Sequence, residues 1–268
     1  MRERLFVTWF YGLDPILQGL YATLFTYFVT ALGAGAVFFF KTMNQKVLDL
    51  MMGFAAGVMI AASYWSLLAP AIELSTVLGI NVGFTVAAGF MLGGSFVVIA
   101  DIVMTKAALV QSQGAALKRS ILITSSVTLH NIPEGLAIGV AFGSVAVGIE
   151  GASIQGAIML ALGIGIQNFP EGVCVAMPLR RDGASRLKSF FVGQASGAVE
   201  PIAGVLGVLF ALAMRSALPL ALSFSAGAMI AVTCSELIPE SFKENKIIAA
   251  IGVLIGFTVM MVLDVVLG

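Results

Sequence analysis

Charge is scarce in this 268-residue chain: 10% of its residues are Asp, Glu, Lys or Arg, against 59% hydrophobic, and its mean hydropathy is +1.05. Soluble domains carry about 25% charged residues. A soluble globular fold is therefore excluded and a polytopic membrane protein is expected. Cysteine occurs twice, at Cys174 and Cys234, inside separate apolar segments. A disulfide framework is excluded, and both thiols read as buried packing residues. Histidine occurs once, at His130. That excludes a histidine-rich loop and leaves a hydrolytic zinc site of the HExxH kind without its ligands. No cleavable signal peptide is expected, because the first apolar run after Arg4 is short and reaches Asp14-Pro15 without a small-residue cleavage site. What the chain has in quantity is glycine, 30 residues, which lets membrane helices approach closely.

Crossing the hydrocarbon core takes about 20 apolar residues. By that criterion the sequence predicts eight transmembrane helices over 15–40, 47–71, 82–104, 120–142, 154–177, 190–214, 218–238 and 247–267. The expected fold is one all-α transmembrane domain over 1–268, since every connection is short. Asp14-Pro15 is a helix start, a capping side chain followed by proline at the first helical position. Lysine and arginine sort by side. Eleven of them (Lys41, Lys46, Lys106, Lys118, Arg119, Arg180, Arg181, Arg186, Lys188, Lys243, Lys246) fall in alternate connections, and three (Arg2, Arg4, Arg215) fall on the opposite side. The positive-inside rule then predicts both termini extracytoplasmic in a cell (inner) membrane. The lipid bilayer is an expected partner; nucleic acid is not.

Two repeats stand out. His130-Asn131-Ile132-Pro133-Glu134-Gly135 in the fourth segment is nearly copied by Gln167-Asn168-Phe169-Pro170-Glu171-Gly172 in the fifth. Phe54-Ala55-Ala56-Gly57-Val58-Met59-Ile60-Ala61 in the second returns as Phe224-Ser225-Ala226-Gly227-Ala228-Met229-Ile230-Ala231 in the seventh, at an offset of 170. Those helices cross in opposite directions, so the repeat is inverted. A 3+2+3 inverted-repeat bundle is expected, a recurring architecture of secondary transporters.

Residues i and i+4 share a helical face. His130 and Glu134 therefore point one way near mid-depth, as do Gln167 and Glu171, and the sixth segment adds Glu200 before Pro201. A charge at the bilayer centre costs around 2.5–3.5 kcal/mol on insertion scales. Three carboxylates then cost on the order of 8–10 kcal/mol unless something neutralises them. No lysine or arginine is expected at that depth, which leaves protonation, water or a bound cation. An imidazole with carboxylates and amide oxygens, and no thiolates, suits borderline divalent metals such as zinc. Pro133 and Pro170 each free a carbonyl one turn earlier, at Leu129 and Ile166. Opened backbone of this kind is tolerated where it lines a polar cavity. Met59 offers a thioether, although thirteen methionines make packing its default.

A further series of acids runs from mouth to exit: Glu73 and Asp264 on the outer side, Asp101, Glu236 and Glu240 on the cytoplasmic side. Each is equally readable as a solvated helix end, and Asp49 and Glu150 read as loop charges. For one motif alone, a histidine satisfied by a helix–helix hydrogen bond would serve as well; the duplication and the third carboxylate favour metal. Transport of a divalent cation is the leading reading. The alternatives are an intramembrane metallohydrolase and a proton or cation pathway through protonatable glutamates. No catalytic cofactor is expected.

These motifs resemble the ZIP (Zrt/Irt-like protein) family of divalent metal transporters, in its GufA-like bacterial branch, over nearly the whole chain. The resemblance implies zinc uptake into the cytoplasm, with cadmium, iron and manganese as further ions, and a homodimer. It implies a binuclear centre: one site from His130, Glu134, Gln167 and Glu171 with Met59 nearby, another from Asn131, Glu134, Asn168, Glu171 and Glu200. Ser66, Glu73 and Asp264 match entrance positions; Asp101, Ser235 and Glu236 match positions near the exit. The chain departs from the family in two ligands. Neutral Asn168 stands where some relatives carry aspartate, which weakens the second site. Ser235 stands where relatives often have histidine, which puts an exit-side metal site in doubt.

Overall fold

The computed structural model describes residues 9–111, 115–149 and 151–268; the side chains of 107–127, 129 and 130 lie outside the described residues. Among the described residues eight long helices follow one another: α1 (Pro15–Phe38), α2 (Gln45–Val77), α3 (Val82–Gln111), α4 (Ala115–Ala146), α5 (Ile154–Arg181), α6 (Arg186–Ala213), α7 (Arg215–Ser241) and α8 (Lys246–Leu267). No strand occurs among the described residues. Among the described residues seven helices, all but α4, are long and apolar enough to cross a membrane. The protein is an all-α polytopic membrane protein. Asp14 caps α1 as its sequence predicts, accepting from the Ile16 amide at 2.9 Å with Pro15 at the first helical position. Asn44, Ser153 and Ser185 cap α2, α5 and α6 in the same way.

Several helices overrun the sequence expectation, α2, α3 and α4 the furthest. The apolar stretch sets what the bilayer must cover, not where the helix stops. Thus α3 runs on to Gln111 and α4 begins at Ala115. Three are irregular inside. In α2 a π turn, Ser63–Leu68, precedes Pro70. In α7 a second, Thr233–Leu237, precedes Pro239, and in α8 a third spans Leu263–Leu267. A proline withdraws one amide from the ladder, and a wider turn ahead of it accommodates the carbonyl left over. Ser63 and Thr233 open the first two of these turns, each donating its hydroxyl to the carbonyl four residues back, Met59 and Met229. Helix α6 is broken outright: it stops at Gly197 and resumes at Glu200, with Pro201 in the first turn.

Helices pair out of sequence. α2 lies along α8, α3 along α7, α4 along α6, and α1 along α5. Glycine makes these pairings close. A Cβ added at Gly89 or Gly93 of α3 would run into the backbone carbonyls of Leu220 or Phe224 of α7. One added at Gly252 or Gly256 of α8 would meet those of Leu50 or Phe54 of α2. Leu220 and Phe224 stand 170 positions after Leu50 and Phe54. The interior is otherwise filled by Phe142, Met59, Leu67, Leu74, Ile138 and Leu160, while Phe84, Met91, Ile99 and Leu254 face outward.

Two residues differ from expectation. Asp49 is not a loop charge. It is fully buried in α2 and accepts from Gln45 Nε2 and Asn245 Nδ2, each at 2.7 Å, tying α2 to the connection before α8. Cys234 is not a packing residue but exposed, and Cys174 is half-buried. Thr233 takes the inward position at the start of the π turn, which sends its neighbour about 100° round. Glu150 lies outside the described residues.

Candidate metal centre

The two Pro-Glu-Gly repeats place their carboxylates by way of their glycines. A Cβ at Gly135 would stand 2.5 Å from the Glu200 carbonyl oxygen and 2.9 Å from the Ala203 Cβ. Bare backbone is what lets α4 touch α6 at its break. Gly172 is pressed in the same manner against the Thr30 carbonyl, with the Ala34 nitrogen 2.8 Å from where its Cβ would be, so α5 touches α1. Each glutamate immediately precedes its glycine and so sits at the level of closest helix approach. Glu134 is fully buried, Glu171 is 4% exposed, and Glu200 is fully buried.

The carboxylates are interleaved with amides. Gln167 Nε2 donates to Glu134 Oε1 at 2.5 Å and lies 3.3 Å from Glu171 Oε1. Asn168 Nδ2 donates to Glu200 at 2.9 and 3.0 Å, reaching both oxygens. Thr26 of α1 donates its hydroxyl to Glu200 Oε2. Asn131 Nδ2 donates to the Ser196 carbonyl at 2.8 Å. In each case the amide gives its N–H to a neighbour and keeps its oxygen back. Asn131 Oδ1, Gln167 Oε1, Asn168 Oδ1 and Glu134 Oε2 are buried and meet no hydrogen-bond donor among the described residues.

Four buried acceptors without donors are costly, at roughly 1–3 kcal/mol each. Buried polar groups are ordinarily paired, and hard or borderline cations bind oxygen. Among the described residues no three His, Cys, Asp or Glu side chains form a metal-holding group by themselves. The convergence depends on amide oxygens. The His130 side chain lies outside the described residues.

A family model described as "ZIP Zinc transporter" matches residues 110–264. The human zinc transporter ZIP11 is 37% identical to this chain, over 96% of it and 99% of the relative. Zinc transporter GufA of Myxococcus xanthus is 37% identical over 93% and 99%. Zinc transporter ZIPB of Bordetella bronchiseptica is 34% identical over 89% and 78%. The chain belongs to the ZIP zinc transporter family. Its similarity to GufA and ZIPB agrees with the bacterial branch that the motifs resemble, and the family is one of membrane transporters rather than enzymes.

Within this ZIP protein the remaining sequence candidates fall into separate groups. Met59 is fully buried in the core, with its Sδ 3.6 Å from Thr233 Oγ1. Ser66 donates to Asp264 Oδ1 at 2.7 Å, joining α2 and α8 at their π turns. Glu73 is exposed, with Oε2 3.3 Å from where a Cβ of Gly151 would be, beside the loop between α4 and α5. Asp101, Ser235 and Glu240 are exposed and Glu236 is half-buried. Glu240 pairs with Lys243, and the Ser235 hydroxyl reaches the Val232 carbonyl at 3.4 Å. None of these joins the central amide–carboxylate cluster through a described hydrogen bond.

The sequence reading missed Thr26 and Ser196. Thr26 holds a glutamate, and Ser196 gives its carbonyl to a motif asparagine. The available signal was the spacing of Thr23, Thr26 and Thr30, a hydroxyl stripe along one side of an apolar helix; all three are fully buried.

Proposed function

We propose that the protein carries zinc into the cytoplasm through a midplane centre formed by α4, α5 and α6. The buried oxygens of Asn131, Glu134, Gln167 and Asn168 that no described donor meets are the observation that carries this reading. They belong to residues of the two repeated motifs, and a divalent cation satisfies several of them at once. The names of the relatives as zinc transporters support the choice of ion; cadmium, iron and manganese share the donor preference closely enough to compete. His130, Glu134, Gln167 and Glu171 form the first site, with Met59 in the wall beside it. Asn131, Asn168 and Glu200 complete a second, sharing Glu134 and Glu171. Ser66, Glu73 and Asp264 serve the entrance, and Asp101, Glu236 and Glu240 the exit. The orientation is the one the basic residues imply, both termini outside the inner membrane.

We infer the same eight-span, 3+2+3 inverted repeat from the packing. Asn131 donates to the Ser196 carbonyl, and Asn168 lies 3.4 Å from the Thr26 carbonyl. Gly135 faces Glu200, and Gly172 faces Thr30. Asn131 to Asn168 and Gly135 to Gly172 are offsets of 37; Thr26 to Ser196 and Thr30 to Glu200 are offsets of 170. The pairs α4/α6 and α5/α1 therefore exchange under one operation, as do α2/α8 and α7/α3. A homodimer remains part of the proposal, by family resemblance.

Purified protein in liposomes tests the function. A zinc-sensitive dye inside the vesicles should report influx, with added cadmium, iron or manganese competing. Influx no faster than in protein-free vesicles would overturn the assignment. Zinc-edge anomalous scattering separates metal binding from a proton pathway, because only the former requires a peak among Glu134, Gln167 and Glu171. At limiting zinc that peak should lie in the His130-containing site and not beside Glu200. Asn168 brings no charge, and both Glu200 oxygens already accept hydrogen bonds. Equal occupancy would count against the unequal pair.

A further inference from the structure

We infer that Thr26, on the first helix, is a positioning residue for Glu200 and sets the affinity of the second metal. This rests on the proposed metal centre but adds a residue and a helix that the motifs do not contain.

Few groups can steer Glu200. Its carboxylate is fully buried at the break in α6, where the helix resumes with Pro201. Three side chains reach it: Asn168, whose amide reaches both oxygens, Thr26, whose hydroxyl reaches Oε2, and Thr30, whose hydroxyl also has the Thr26 carbonyl at 3.2 Å as an acceptor. Their roles differ. Asn168 offers its nitrogen to Glu200 while its own Oδ1 meets no described donor. To present that oxygen to a cation beside Glu200, the amide must turn and withdraw its N–H from the carboxylate. Thr26 need not move, because a carboxylate oxygen has lone pairs enough to accept from a hydroxyl and bind metal together. It is then the hydroxyl that still holds Oε2 when the ion arrives. Outer donors of this kind orient a ligating carboxylate, and losing one typically costs 10–100-fold in metal affinity.

The repeat marks Thr26 as special. Its counterpart 170 positions later, Ser196, donates its hydroxyl to the Gly193 carbonyl at 2.7 Å, a local bond within its own helix. Thr26 has the equivalent local acceptor, the Thr23 carbonyl at 3.0 Å, and the carboxylate as well. With one proton to give, the hydroxyl favours the charged acceptor, because hydrogen bonds to ionised groups are about twice as strong as neutral ones. The position that corresponds to Glu200 in the other half, 170 residues earlier, is Thr30 and not a glutamate, so only one half of the repeat has a carboxylate to hold. In that half the hydroxyl has turned from a helix-internal bond to an interhelical one.

The test is zinc titration of the purified protein by calorimetry, comparing wild type, Thr26→Val and Thr26→Ser. Wild type should take two equivalents, the second more weakly. Thr26→Val keeps the shape and removes the donor; it should weaken the second equivalent about 10–100-fold and leave the first within about threefold. Thr26→Ser restores the donor and should restore the second affinity, which a purely packing role for the methyl group would not do. Thr26→Ala gives the same readout if the valine variant cannot be purified. A second affinity unchanged in Thr26→Val, a serine variant as weak as valine, or a wild type that transports zinc while binding one equivalent would each overturn the inference. A wild type that binds no zinc instead removes the metal centre itself.

Discussion

Alanine at Glu134 or at Glu171 should reduce zinc flux in liposomes by more than ~100-fold, beyond the 10–100-fold typical of losing an outer partner to a metal ligand. Both carboxylates are buried, both are reached by the Gln167 amide, and each stands beside the glycine that brings its helix against a neighbour. Truncation removes the charge that attracts a dication and takes from Gln167 one of its two acceptors. Glu134→Gln refines the result. It keeps an oxygen for Gln167 and the bulk of the side chain but not the charge, so it should fold as wild type while losing most of its flux. Size-exclusion elution and thermal unfolding in detergent separate folding from transport. Full flux in both alanine variants would remove these residues from the path.

Gly172→Val should be at least as damaging, by a different route. The added atoms fall on the Thr30 carbonyl and near the Ala34 nitrogen, which are main-chain groups of α1 that cannot rotate aside. Even alanine should cost about 1–3 kcal/mol through overpacking, and valine more, because α5 must lift away from α1 and take Asn168 and Glu171 with it. A lower unfolding temperature together with lost zinc influx is the expected outcome. Gly35→Ala is the matched control, since a Cβ there meets nothing within 4 Å. Equal behaviour of the two variants would show that the α1–α5 contact does not set the site.

The two substitutions fail differently because the centre has two layers, and these were unequally legible in the sequence. Ligand candidates were visible: acids and amides are conspicuous in apolar helices, and the Pro-Glu-Gly repeat gave their spacing. Helix positions were visible too, because bilayer thickness fixes the length of an apolar stretch. The supporting layer was not. Thr26 and Ser196 look like neutral small residues until a helix from another part of the chain lies beside them. Asp49 read as a loop charge because only one of its two amide partners, Gln45, lies nearby in sequence; the other, Asn245, is 196 positions away. The break at 198–199 and the π turns depend on which backbone groups find partners, a tertiary matter. Cys234 faces outward for that reason, and no periodicity in α7 announces it.

The pairing of helices out of sequence also shapes how the protein is made. Gly53 of α2 is fitted to the Ala249 backbone and Gly57 to that of Val253, both on α8. During synthesis α2 enters the bilayer with a bare backbone face and waits through five further helices for the one that covers it. α3 waits for α7, α1 for α5, and α4 for α6. No tight pair can close between neighbours as they emerge, so the bundle condenses late, and a ribosome stalled before α8 would leave α2 offering its glycine face to whatever helix is nearby.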